Sequence, residues 1–286
     1  MIESLIKYQF LQNAFLTGIM IGLIAPVLGV FIVVRRLSLI ADALSHVTLS
    51  GIAASLLIEK KFPETINLNP VYFGMLFSFL GAIFIEKLRA VYKHYQELAI
   101  PIMLSGGVGL GVIFISLADG FNNDLFNYLF GSVNAVTRTD MWSILIIMLI
   151  VISIIFICYK ELVILSFDEE YATVSGVNKR WIHQLFIIMV AIVIASSMRI
   201  VGILLVSSLM TLPVASAMKF AKSFKQAIFF SILIGEASVI LGLFSAYHLD
   251  IAPGGTIVMV SIVILLCSIS YNKFIKRYQT RTLNMK

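Results

Sequence analysis

Charge is scarce in this sequence. Only 13% of its 286 residues are Asp, Glu, Lys or Arg, against about 25% in a soluble domain. With 60% hydrophobic residues there is too little polar surface to keep such a chain in water, which excludes an ordinary soluble globular protein. Cysteine is nearly absent. The two present, Cys158 and Cys267, both lie in apolar runs, with neither metal-ligand spacing nor partners for a disulfide framework. Catalytic signatures are missing as well. No G-x-x-x-x-G-K-[ST] cradle for nucleotide phosphates occurs, so the chain does not hydrolyse ATP itself, and neither H-E-x-x-H nor G-x-S-x-G is found. There is no low-complexity tract, no internal repeat and no interdomain linker, so residues 1–286 are expected to form one domain. Lys7 precedes a run too long for a signal peptide, and no small-residue cleavage site stands out, so no cleavable leader is expected.

What the sequence has is apolar length. Crossing a ~30 Å hydrocarbon core takes roughly 20 helical residues. Nine runs approach this, at about 11–34, 38–58, 70–85, 98–118, 141–159, 181–198, 200–218, 226–249 and 251–272. The third is short, and only Arg199 separates the sixth from the seventh. An eight-span count follows if those two fuse or re-enter. The expected fold is therefore all-α: a polytopic transmembrane bundle of eight to nine spans. Segment 119–140, with Asn122, Asn123, Asp124, Asn127 and Gly131, is too polar to span and is expected to be an external loop with a short helix. Residues 1–10 suit a short amphipathic helix.

The net charge of +6 follows the same plan. Sorted by alternate connections, 16 of the 21 Lys and Arg fall on one side and 5 on the other. Cytoplasmic loops collect such cations. This places the C-terminus and the 160–180 loop in the cytoplasm and the N-terminus outside. Membrane lipid, not nucleic acid, accounts for the basic excess.

Ionisable residues inside spans are costly, and their default reading is a pathway or binding site. Asp42 and His46 are four residues apart, so a helix puts both on one face. Carboxylate plus imidazole suits borderline divalent cations; an intramembrane hydrogen bond that merely orients His46 is the plainer alternative. Asp42 would sit only about 6 Å into its span. Glu236 falls near mid-membrane, where it must be protonated, paired or hydrated. His248, beside Asp250, lies near the outer end of the same run, as a ligand or an interfacial histidine. His94 and His183 read as surface or interface residues, and Arg199 as a side chain snorkelling to the interface.

Other residues bear on shape. Pro26 and Pro213 fall inside spans and should bend or break them. Ser105, Gly106, Gly107, Gly109 and Gly111 crowd one run, where small residues permit close helix approach or line a pore. In the 160–180 loop, Asp168 can cap a short helix whose first turn carries Glu169 and Glu170, with Gly176 ending it. Such a helix is either a docking lever for a soluble partner or a connecting turn.

Four pieces, in order, resemble the permease subunits of ABC importers for zinc and manganese, and the likeness runs over nearly the whole chain. They are Arg35-Arg36-Leu37-Ser38-Leu39 with Asp42-Ala43-Leu44-Ser45-His46 and Gly51; Asp168 with Ala172 and Gly176; Val201-Gly202-Ile203-Leu204-Leu205-Val206 with Leu209, Pro213 and Ala217; and Ala252-Pro253-Gly254-Gly255 with Ile257-Val258. Ala41 stands where the family usually has glycine. The resemblance implies a type II importer permease in a bacterial cell membrane, homodimeric, with the ion path at the dimer interface. A separate cytoplasmic ATPase would dock on the coupling segment at Asp168, Glu169, Ala172 and Gly176. An external metal-binding protein would deliver the cation. Asp42 and His46 match the family's translocation ligands, and Glu236 and His248 are carried with them as candidate metal residues. No cofactor is expected to be permanently bound, Zn²⁺ or Mn²⁺ being cargo. Imidazole puts zinc first. Two other classes stand beside this one: a membrane-embedded hydrolase using Asp42, His46 and Ser45 or Ser50, and a secondary transporter working without an ATPase.

Overall fold

The computed structural model describes residues 7–62, 69–118, 120 and 123–283. Asn122 and most of the expected helix at 1–10 lie outside the described residues. Twelve α-helices and no strand occur among those described: α1 Gln9–Val34, α2 Ser38–Lys61, α3 Pro70–Val91, α4 Ala99–Leu117, α5 Asn123–Phe130, α6 Arg138–Ile157, α7 Tyr159–Phe167, α8 Glu169–Val174, α9 Lys179–Val201, α10 Ile203–Ala217, α11 Phe224–Leu249 and α12 Pro253–Leu283. Eight of them are long and apolar enough to cross a membrane: α1, α2, α3, α4 with its preceding turn, α6, α9, α11 and α12.

The uncertain hairpin resolves at Gly202. This residue ends α9 with φ +83°, a left-handed conformation in which a Cβ is strained. A Cβ there would also lie 2.4 Å from the Leu129 carbonyl oxygen. The chain turns back immediately into α10, whose 15 residues span only about 22 Å. Yet α10 joins the two ends of the bundle. Its start adjoins Leu129–Gly131, while Val214, near its finish, packs with Val30 and Ala227, next to the opposite ends of α1 and α11. The described helices thus make nine alternating passes, eight at full length and one short.

The third span is longer than its apolar run. Glu86, Lys87 and Arg89 looked like loop, but α3 continues to Val91, because Glu86 and Arg89 find partners at the end of the bundle. Neither proline breaks its helix. The helix runs on through Pro26 and through Pro213. Pro26 has no N–H to give the Gly22 carbonyl, and that carbonyl is buried under α11: a Cβ on Gly235 would lie 2.8 Å from it. A freed carbonyl inside protein is tolerated at membrane depth.

The core lies where α1, α2, α9 and α10 meet; Phe31, Phe186, Leu44 and Met210 are fully buried there. On the outer helices large apolar side chains face outward, among them Trp142, Ile146, Leu149 and Phe156 of α6 and Ile113 of α4. An exposed surface this apolar suits lipid and not water. Glycines set the inner spacing. Gly107 faces the backbone of His46 and Val47, and Gly111 faces Ser50, while Gly106 and Gly109 meet nothing within 4 Å. Two of the four glycines therefore pack α4 on α2, and the other two lie open.

Candidate functional site

Asp42 and His46 lie one turn apart on α2 and are half-buried between fully buried neighbours, Ala41, Ala43, Leu44 and Ser45. Among the described residues neither makes a hydrogen bond to protein, whereas the hydroxyls around them are spent locally. Ser45 Oγ donates to the Ala41 carbonyl at 2.8 Å, Thr48 Oγ1 to Leu44 at 2.6 Å and Ser50 Oγ to Val47 at 2.8 Å. A serine bonded to its own helix is not poised as a nucleophile against His46.

Glu236 sits mid-way along α11, half-buried, its carboxyl carbon 3.3 Å from where a Gly22 Cβ would be. It therefore packs on α1 beside the carbonyl released by Pro26. His248 is exposed at the far end of α11, its ring against Phe244 at 4.6 Å and Tyr247 at 5.6 Å. The structure does not bring the four candidates together: no group of three His, Cys, Asp or Glu able to hold a metal ion occurs among the described residues. One chain supplies the α2 doublet and, elsewhere, a lone carboxylate and a lone histidine.

The 168–176 segment forms as its residues dictate. Asp168, in extended conformation, accepts hydrogen bonds from the backbone N–H of Glu170 and Tyr171 at 3.0 and 2.8 Å, an N-cap for α8. At the other end Gly176 adopts φ +81°. The Val177 N–H reaches the Ala172 carbonyl at 3.0 Å and the Gly176 N–H the Thr173 carbonyl at 3.2 Å, the paired closure of a Schellman motif. Ala172 is fully buried while Tyr171 and Val174 are exposed. Glu169 bonds Lys179 Nζ at 3.1 Å, tying α8 to the start of α9. Burial alone would raise the Glu169 carboxyl; the hydrogen bond and charge of Lys179, then Arg35 and Arg89, outweigh it and hold the carboxyl below its usual range.

Next to α8 lies a cluster that the sequence did not disclose. His183 is buried, its Nε2 2.8 Å from Glu86 Oε1. Arg35 donates to His183 Nδ1, and Arg89 also meets its Nε2. Arg89 pairs with Glu86 at 3.3 Å. Three span ends, from α1, α3 and α9, thus converge on one imidazole. Burial lowers the Arg35 guanidinium to about 10, which still leaves it charged at neutral pH. The contacts join residues 94 and 148 positions apart, a separation that periodicity does not report. The one available sign was His183 itself, an ionisable residue in the first turn of a span.

Arg199 anchors the opposite end. It donates to Asp140 Oδ2 at 2.6 Å, to Asn69 Oδ1 at 3.3 Å and to the Tyr128 hydroxyl at 3.3 Å. Asp140 also accepts from the backbone N–H and hydroxyl of Thr137 in the capping box of α6. Arg199 does not snorkel; it joins α9, α6, α5 and the start of α3.

Comparison with known proteins bears on what these ends serve. A family model described as the ABC 3 transport family matches residues 7–272. The manganese import system permease protein ScaB of Streptococcus gordonii is 36% identical over 267 residues, 93% of this chain and 93% of its own length. The manganese transport system membrane protein MntC of Listeria innocua is 34% identical over 263 residues, 92% of this chain and 91% of its own. Among solved structures, PsaBC from Streptococcus pneumoniae in complex with Fab superposes with a TM-score of 0.80 at 34% identity, covering 93% of each chain.

Proposed function

Since the chain belongs to the ABC 3 transport family, whose members are permease subunits of metal importers and not enzymes, we propose that it carries a divalent cation across the bacterial cell membrane past Asp42 and His46. The observation that carries this reading is their state on α2: half-buried, on one face and without hydrogen-bond partners among the described residues. A cargo ion must leave again, so a carboxylate and an imidazole completed by water or by a second copy suit transport better than a closed four-ligand cage. Glu236 and His248, apart from that pair, serve as further stations. Imidazole favours zinc, but the relatives are named for manganese, and carboxylate with water suits that ion too. We therefore rank manganese first and zinc second, as cargo, and propose no resident cofactor.

In this reading two copies line the path. An external metal-binding protein delivers the ion at the Arg199 end, and a separate ATPase docks on α8 at the His183 end. The excess of Lys and Arg in the connections at the His183 end supports a cytoplasmic position for that end and for the C-terminus. Motion of the α7–α8 corner reaches the spans by two short routes: Glu169–Lys179 into α9, and Phe167–Phe224–Phe31, ring centroids 5.7 and 5.1 Å apart, into α11 and α1. The test is uptake into vesicles holding the chain, its ATPase and the binding protein. ATP-dependent Mn²⁺ uptake, with Zn²⁺ competing less well, is expected. Uptake that proceeds without the ATPase would refute the reading in favour of a secondary transporter.

A further inference from the structure

A cavity of about 540 Å³ opens at the His183 end, between the ends of α1, α3 and α9 and the α7–α8 corner. Six of its lining side chains are cationic: Arg35, Lys87, Arg89, Lys93, Lys179 and Arg180. Two are carboxylates, Glu86 and Glu169, and both are already engaged, Glu86 by Arg89 and His183 and Glu169 by Lys179. Among the described residues no carboxylate lies within salt-bridge distance of Arg35, Lys87, Lys93 or Arg180, although Glu169 and Glu86 attract Arg35 from further off. Arg35 is the most telling of these. Its Nη2 meets His183 and its guanidinium lies 5.3 Å over the Phe186 ring, but its Nη1 is buried with no hydrogen-bond partner. A buried charged donor is costly to leave unmatched. The lining carries an excess of positive charge, six cations against two carboxylates.

We propose that this pocket binds the phosphate group of an anionic ligand, with Arg35 as a fixed lining charge and Lys87 and Lys93 as donors at its rim. Phosphate offers several charged oxygens to a guanidinium fork and to ammonium groups at once; one carboxylate would leave most of these donors unused. The volume accommodates a diphosphate or a lipid headgroup. Either source presents the same chemistry, because the pocket lies where the spans end. A bound phosphate would join α1, α3 and α9 beside α8. The site stands on its own residues and does not rest on the metal reading.

Binding is tested on the full chain, purified and stripped of lipid. Inorganic diphosphate is titrated by calorimetry, and phosphatidylglycerol retention is followed by native mass spectrometry. One saturable site is expected, weakened at least tenfold in Arg35→Gln and in the double variant Lys87→Gln with Lys93→Gln, and unchanged in Lys219→Gln, a cation outside the pocket. The double variant alters exposed positions only, so it reports even if Arg35→Gln fails to fold. Phosphatidylglycerol that binds there and excludes diphosphate identifies a lipid headgroup as the occupant. Diphosphate that binds without competition from the lipid identifies a soluble anion. If neither probe binds, or if the double variant binds either as the wild type does, the proposal is overturned.

Discussion

At the scale of single residues, two positions hold the bundle together by opposite means. Arg199 acts through what it touches. Replacing it with Ala leaves Asp140, whose side chain is 12% exposed, without its cation, and a stranded buried charge costs roughly 3 kcal/mol or more. Thermal unfolding of Arg199→Ala should come well below the wild type. Lys should rescue little of the loss, because a single ammonium does not reach Asp140, Asn69 and Tyr128 together. Gly202 acts through what it lacks. A Cβ is disfavoured there by φ and blocked by the Leu129 carbonyl, so Gly202→Ala should destabilise by at least about 1–2 kcal/mol, read in the same unfolding assay. An undiminished midpoint would show that the α9–α10 corner relaxes freely.

Among elements, α8 is the most exposed to test. Asp168→Ala removes both cap hydrogen bonds and should cost the short helix about 1 kcal/mol. Faster hydrogen exchange at 169–174 is expected, with exchange in the middle of α9 unchanged. The pH response follows from Glu169. Its carboxyl is held below the usual range, so its contribution is complete above the ordinary glutamate value of about 4.3 and is lost as pH falls through the lower folded value. Exchange at 169–177 should be flat from pH 8 to 5.5 after correction for intrinsic rates, and protection should fall only in stronger acid. Lys179→Gln should move that loss to higher pH.

The elements also show what a sequence carries. The cap at Asp168 and the stop at Gly176 were legible because both act within a few residues. Most spans were legible from apolar length alone. The end of α3 was not, since Glu86, Lys87 and Arg89 are polar by composition and helical because of a histidine 94 positions away. His183 and Arg199 looked like interface residues for the same reason. Their roles depend on partners that only folding brings near.

For the molecule as a whole, the account requires two ends with different tasks and a route between them. The Arg199 end is locked by hydrogen bonds. The His183 end gathers cations around α8. Between them Asp42 and His46 are the open polar pair on α2. The doublet itself was visible in the sequence as two costly residues at helical spacing. That Glu236 and His248 stay apart from it was not visible, because spacing within one helix says nothing about which neighbours it meets. The deciding measurement takes His46→Ala in the reconstituted importer and reads metal uptake and ATP hydrolysis together. Uptake lost while hydrolysis persists is the expected result; uptake at the wild-type rate would contradict a cation route past Asp42 and His46.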